Sequence, residues 1–161
     1  MGLERIFERC TEPKETNRQI DPMFRRWLRK GGLGILPVPL DAFMSGTQDA
    51  VLDASDAEML DFARSALGYE RDKGLDFIAR FNGKYVIGEA KFLTEFGGNQ
   101  DNQFEDAIDT LEAKANATKI AILDGILYIK NCRRKICKIL NERPDYNIMS
   151  ALLLREFLYQ L

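Results

Sequence analysis

The chain has 161 residues, 45% hydrophobic and 30% charged, with 23 Lys and Arg against 25 Asp and Glu. That suffices to bury the core of one domain and excludes a disordered chain; a formal charge of −2 excludes a global cationic field, so any nucleic-acid contact must come from local basic patches. Histidine is absent, which removes Ser-His-Asp and Cys-His catalysis, histidine zinc ligation and imidazole acid–base chemistry, leaving carboxylates, lysine, arginine or a bound metal.

Three cysteines, Cys10, Cys132 and Cys137, form no CxxC pair. Four-ligand structural zinc is therefore set aside, and reduced thiols of a cytoplasmic protein are expected. The first residues are charged from Glu4 onward, unlike a secretory leader. No apolar run approaches the ~20 residues a membrane span needs, so no membrane partner is expected.

In chain order, residues 1–18 are polar, with a loop at Thr11-Glu12-Pro13-Lys14. Asp21-Pro22 then reads as the N-cap and first position of a helix that runs to Lys30 and stops at Gly31-Gly32. Its apolar stripe is Met23, Phe24, Trp27 and Leu28, and Arg25, Arg26, Arg29 and Lys30 make the opposite face. Residues 33–46 read as extended or loop-like. Ser55 with Glu58 is a capping-box pattern opening a helix that ends near Leu67, at Gly68. Strands at 75–81 and 84–92 are joined by Asn82-Gly83. A glycine loop, Phe96-Gly97-Gly98, precedes a helix at 99–115. A strand at 119–123, a turn at Asp124-Gly125, a strand at 126–130 and helices at 132–141 and 148–160 complete the chain. The order predicts one domain of the α/β or α+β class, a mixed sheet with flanking helices. Residues 55–130 form its core, 1–54 an N-terminal helical and loop region, and 131–161 C-terminal helices.

The most informative stretch is the hairpin. Asn-Gly between apolar runs predicts a two-residue type I′ turn, because both central positions need positive φ. Phe81 then faces Lys84, paired residue numbers sum to 165, and Asp76 falls opposite Glu89. Alternation puts Asp76, Ile78 and Arg80 on the same face as Glu89 and Lys91. Two carboxylates whose Cβ atoms lie roughly 4.5–5.5 Å apart repel unless a proton or cation relieves them, and a hard divalent cation is the natural relief. Charges on the solvent face of a hairpin are common, and Glu-x-Lys alone carries little information. Here the runs around Leu75-Asp76-Phe77-Ile78 and Val86-Ile87-Gly88-Glu89-Ala90 are those of a central, buried strand, where charges are costly without a role or partners.

Asp76 on a first strand with Glu89-Ala90-Lys91 on the second resembles the PD-(D/E)xK nuclease superfamily, with Leu75 where a proline is often found. The segments Thr11-Glu12-Pro13-Lys14-Glu15-Thr16-Asn17-Arg18-Gln19-Ile20, Lys73-Gly74-Leu75-Asp76-Phe77-Ile78-Ala79-Arg80, Gly88-Glu89-Ala90-Lys91-Phe92-Leu93-Thr94, Phe96-Gly97-Gly98-Asn99-Gln100 and Ile122-Leu123-Asp124-Gly125 resemble one group of bacterial type II restriction endonucleases. The similarity spans roughly residues 11–130. It implies a restriction-endonuclease-like core and Mg²⁺-dependent hydrolysis of double-stranded DNA, with Mn²⁺ as a substitute, no nucleotide cofactor, and a homodimer. Members are usually longer, so a compact member or a fragment is expected.

Carried onto this chain, the resemblance implies that Asp76, Glu89 and the Ala90 carbonyl hold the metal and that Lys91 orients or deprotonates the attacking water. Metal coordination makes water acidic enough to attack without histidine. Gln100, in the helix after the glycine loop, is the position where relatives carry a Gln touching the site or the DNA backbone; Gln103 stands beside it. An upstream helical acid often completes the metal site; Glu58 and Glu15 compete for that role, and Glu58 reads equally well as a capping residue. Arg18, Arg25, Arg29, Arg133 and Arg134 are candidate DNA contacts, against the alternative of solvated helix faces. Phe24, Trp27 and Phe104 fit apolar stripes and read as core. Two alternatives stay open: a repair or junction-resolving nuclease of the same fold, and a catalytically silent DNA-binding module.

Overall fold

The computed structural model describes residues 16–93, 99–125 and 135–161. In chain order they form α1 (Thr16–Arg29), α2 (Leu40–Ser45), β1 (Ala50–Val51), α3 (Asp56–Leu67), β2 (Phe77–Phe81), β3 (Lys84–Leu93), α4 (Asn99–Glu112), β4 (Thr118–Gly125), α5 (Lys135–Glu142), β5 (Asn147–Met149) and α6 (Ala151–Tyr159). One five-stranded sheet runs in the order β1-β2-β3-β4-β5. The β1–β2 and β2–β3 pairs are antiparallel; β3–β4 and β4–β5 are parallel. This α+β architecture, a mixed sheet with helices on both faces, is the one expected from the order of elements.

Period-two alternation divides the core. On one face Phe24 and Leu28 of α1 and Leu154 and Leu158 of α6 pack with Phe77, Ala79, Ile120 and Ile122. On the other, Met59, Phe62 and Ala63 of α3 meet Ile78 and Ile87, while Phe104, Ile108 and Leu111 of α4 cover Ala121 and Leu123. The central strand β3 is thus apolar on both sides, as a near-continuous hydrophobic run requires. Phe24 and Phe104 are core residues, and Trp27 stacks on Phe24 at 5.8 Å between ring centroids.

Several expectations need correction. α1 starts at Thr16, so Asp21 is not its cap and Pro22 lies inside it. Pro22 is exposed, so the carbonyl its missing N–H leaves unpaired one turn back can turn to water. Met23 is 61% exposed and lines an apolar groove of about 490 Å³ with Trp27, Phe92, Ile122 and Leu152, rather than joining the core. Residues 40–45, read as loop, form α2 because Phe43 is fully buried against Phe62; long-range packing overrides a proline-rich local signal. Asp124 and Gly125 end β4 instead of forming a turn. Gly125 has φ +103°, and a Cβ there would strike the Leu93 carbonyl, while Asp124 accepts the Ala151 N–H at the start of α6. Ile148 and Met149 belong to β5, because Ser150 caps α6 and fixes its start. The strand expected at 126–130 lies outside the described residues. Among those described, no helix is long and apolar enough to cross a membrane.

Candidate active site

Asn82 and Gly83 both take positive φ, 49° and 74°, and close a two-residue turn. The register follows: Phe81 pairs with Lys84 and Phe77 with Gly88. Gly88 is small for a reason, since a Cβ there would lie 2.6 Å from Ile120 of the adjoining strand. The ladder stops at Phe77. Asp76 stands one residue beyond, its N–H donating to the Gly88 carbonyl (3.1 Å) and its Oδ2 accepting from the Ala90 N–H (3.0 Å). Asp76 and Glu89 therefore meet on one face, but not as the directly opposed ladder pair expected. β2 ends first, which frees Asp76 to turn along β3.

Lys91 occupies the space between them. Its Nζ lies 2.9 Å from Asp76 Oδ2 and 3.0 Å from Glu89 Oε1. Side-chain exposure is 18% for Asp76, 15% for Lys91 and 2% for Glu89. Burial pushes the Glu89 carboxyl above the usual range and the Asp76 charge adds to the shift, with Lys91 and Lys73 opposing both. Burial disfavours the Lys91 ammonium, but Asp76 and Glu89 together outweigh it and hold the proton more firmly than on a free lysine.

Lys73 joins the cluster. Its Nζ lies 3.3 Å from Glu89 Oε1 and 2.5 Å from Asp106 Oδ2 on α4. Arg71 ties the same segment to α4, donating to the Asp106 carbonyl (3.1 Å) and the Thr110 hydroxyl (2.9 Å) and pairing with Asp109 (3.2 Å). The sequence signal for Lys73 was its position three residues before Asp76; Asp106 gave none, because its partner is 33 residues away.

The cluster opens on an arginine-lined cleft of about 480 Å³, bounded by Pro22, Arg25, Arg26, Arg29, Asp56 and Asp76. Arg25 is ion-paired with Asp56. Arg29 grips Asp53 through both Nε and Nη2, the latter at 2.8 Å. The basic face of α1 thus lies beside Asp76. Glu58 is not part of this grouping: its Oε2 accepts from the Ser55 N–H (2.8 Å) and hydroxyl (2.7 Å), and those bonds hold its carboxyl below the usual range. The capping reading of Glu58 accounts for its placement. Gln103 is half-buried on α4. Arg18 and Gln100 belong to the first turns of α1 and α4, but their side chains, together with Glu15, Arg133 and Arg134, lie outside the described residues.

The donor set fits a hard divalent cation. Both lysines take Glu89 Oε1, and Glu89 Oε2 is buried with no hydrogen-bond partner among the described residues. An unpaired carboxylate oxygen in a buried position is costly unless something fills it. Among the described residues no group of three acidic or cysteine side chains is placed so that it could hold a metal ion. Beyond Asp76 and Glu89, the described residues offer backbone oxygens, and water can complete the oxygen shell a hard cation takes.

The model of the Tsp45I type II restriction enzyme family matches residues 1–161, the whole chain. No curated protein and no solved structure matches it. The chain belongs to the Tsp45I type II restriction enzyme family.

Proposed function

Starting from that membership, we propose that the chain is a metal-dependent endonuclease acting in the cytoplasm, hydrolysing phosphodiester bonds of double-stranded DNA with Mg²⁺, or Mn²⁺ in its place. The observation that carries this reading is the meeting of Asp76, Glu89 and Lys91 beside an arginine-lined cleft in a chain of this family.

Asp76 and Glu89 hold the cation through their carboxylates. The Ala90 carbonyl would be a further oxygen ligand. Both polar groups of an extended residue point to the same neighbouring strand, and the Ala90 N–H already reaches Asp76 on the side where β2 has ended. When bound, the cation supplies Lewis acidity toward the phosphoryl oxygen and a water acidic enough to attack near neutral pH. Lys91, held between the two acids, would orient the attacking water and offset charge developing on the phosphate. Gln100, in the first turn of α4, is a further candidate for contact with the site or the DNA backbone. Arg25 and Arg29 exchange their surface carboxylates for DNA phosphates, with Arg18, Arg133 and Arg134 as further contacts. A palindromic or near-palindromic recognition site matches a two-fold symmetric homodimer as the working form, checked by light scattering with and without DNA.

The test is incubation of the purified protein with long duplex DNA in Mg²⁺ and in EDTA. Discrete, metal-dependent bands are expected, and mapping their ends gives the recognition site. DNA left intact with every divalent cation, yet shifted on a native gel, would favour the silent DNA-binding module instead.

A further inference from the structure

We infer that Lys73 is a positioning residue that keeps the cation's place beside Glu89 and withdraws to Asp106 when the cation binds. This rests on the metal-dependent reading above. A carboxylate only 2% exposed cannot stay charged without a counter-ion. Among the described residues Glu89 has two, both on Oε1, and they differ in origin. Lys91 is anchored within β3 and tied to Asp76. Lys73 comes from the segment between α3 and β2, is one-third exposed, and divides its ammonium between two acids.

Those two contacts are unequal. Lys73 lies 2.5 Å from Asp106 and 3.3 Å from Glu89, so it can give up the longer contact and keep the shorter. Its backbone need not move, because Arg71 fixes the segment to α4 through the Asp106 carbonyl, Thr110 and Asp109. Glu89 Oε2, the carboxylate oxygen without a hydrogen-bond partner among the described residues, would hold a divalent cation whose two positive charges repel Lys73 in a half-buried setting. Lys73 therefore stabilises the metal-free protein and, by the same charge, raises the cation concentration at which the site fills. Asp106 is the resting partner that makes the exchange possible.

The experiment uses the full chain without DNA and Mn²⁺ alone as probe. Calorimetric titration gives affinity, and thermal melting in EDTA gives metal-free stability. Lys73→Met and Lys73→Gln are expected to melt lower in EDTA and to bind Mn²⁺ about tenfold more tightly, the size of effect one removed charge gives at a partly solvated site. Lys73→Arg, which keeps the charge, is expected to match the wild type in both. Unchanged or weaker Mn²⁺ binding by both neutral variants overturns the inference while leaving the nuclease reading intact. Absence of Mn²⁺ binding by the wild-type protein overturns the metal-dependent reading, and this inference with it.

Discussion

Two sets of ion pairs lie within one reach of Asp76 and behave as opposites. On α1, Arg25 with Asp56 and Arg29 with Asp53 are open to water. At the end of the hairpin, Lys91 and Lys73 hold Asp76, Glu89 and Asp106 in a setting where Glu89 is almost wholly buried. Exposed pairs are screened and exchange partners at little cost. Desolvated ones fix geometry, because breaking one leaves a charge stranded. The first set suits a surface that must release a carboxylate to accept a phosphate. The second suits a site whose atoms must wait in position.

The largest effect should come from the buried set. Asp76→Asn keeps shape and removes charge, so cleavage should fall by on the order of a thousandfold or more, as expected when a metal ligand is lost. Binding to duplex DNA on a native gel should persist in Ca²⁺, which orders ligands but activates water poorly. Loss of binding along with cleavage in a folded variant would break the comparison.

Next is stability. Lys91→Met removes the ammonium held between Asp76 and Glu89, and should cost about 3 kcal/mol in denaturant unfolding of the metal-free protein. A loss no larger than that of a surface variant would mean the cluster is not desolvated.

A pH effect follows from Glu89, whose carboxyl is raised by burial and by Asp76. Between the ordinary carboxylate range and its raised value, the native state holds a proton that the unfolded chain has released. The native state then binds more protons, so this group's contribution to stability declines as pH rises through that window. Urea midpoints of metal-free wild type and Glu89→Gln, compared from about pH 4 to pH 7, should diverge in slope, with the decline absent in the variant. With no histidine in the chain, imidazole cannot produce the same signature.

The smallest effect belongs to α1. Arg29→Gln should leave the melting temperature unmoved and weaken DNA binding uniformly across sequences, lowering the slope of affinity against salt by about one phosphate contact. A change in sequence preference instead would assign Arg29 to base reading.

What was legible in the sequence was local. The Asn82-Gly83 turn, its register and the shared face of Asp76, Glu89 and Lys91 follow from backbone rules that act over a few residues, as does the Ser55–Glu58 cap. What was illegible depends on distant partners. Phe43 makes residues 40–45 helical only because Phe62 waits for it. Ile148 and Met149 join a strand only because β4 offers a parallel edge. Lys73 enters the site through Asp106 and Glu89, which sequence spacing does not bring together. The site's carboxylates were found by turn chemistry; its second cation required the fold.

The hairpin link has one more consequence, for how this chain can tolerate insertion. Side chains alternate strictly along β2 and β3, so the parity of the link decides which half of the core Glu89 and Lys91 enter. One residue added at Asn82-Gly83 and taken up as a register slip would swing them toward Phe24 and Ile122, away from Lys73 and Asp106. Two added residues would restore the face but carry Glu89 one pair out of step with Asp76. Two residues between Phe81 and Lys84 thus serve as a length standard for chemistry at the other end of the strands. Exchange of that turn should be tolerated by composition far more readily than by count.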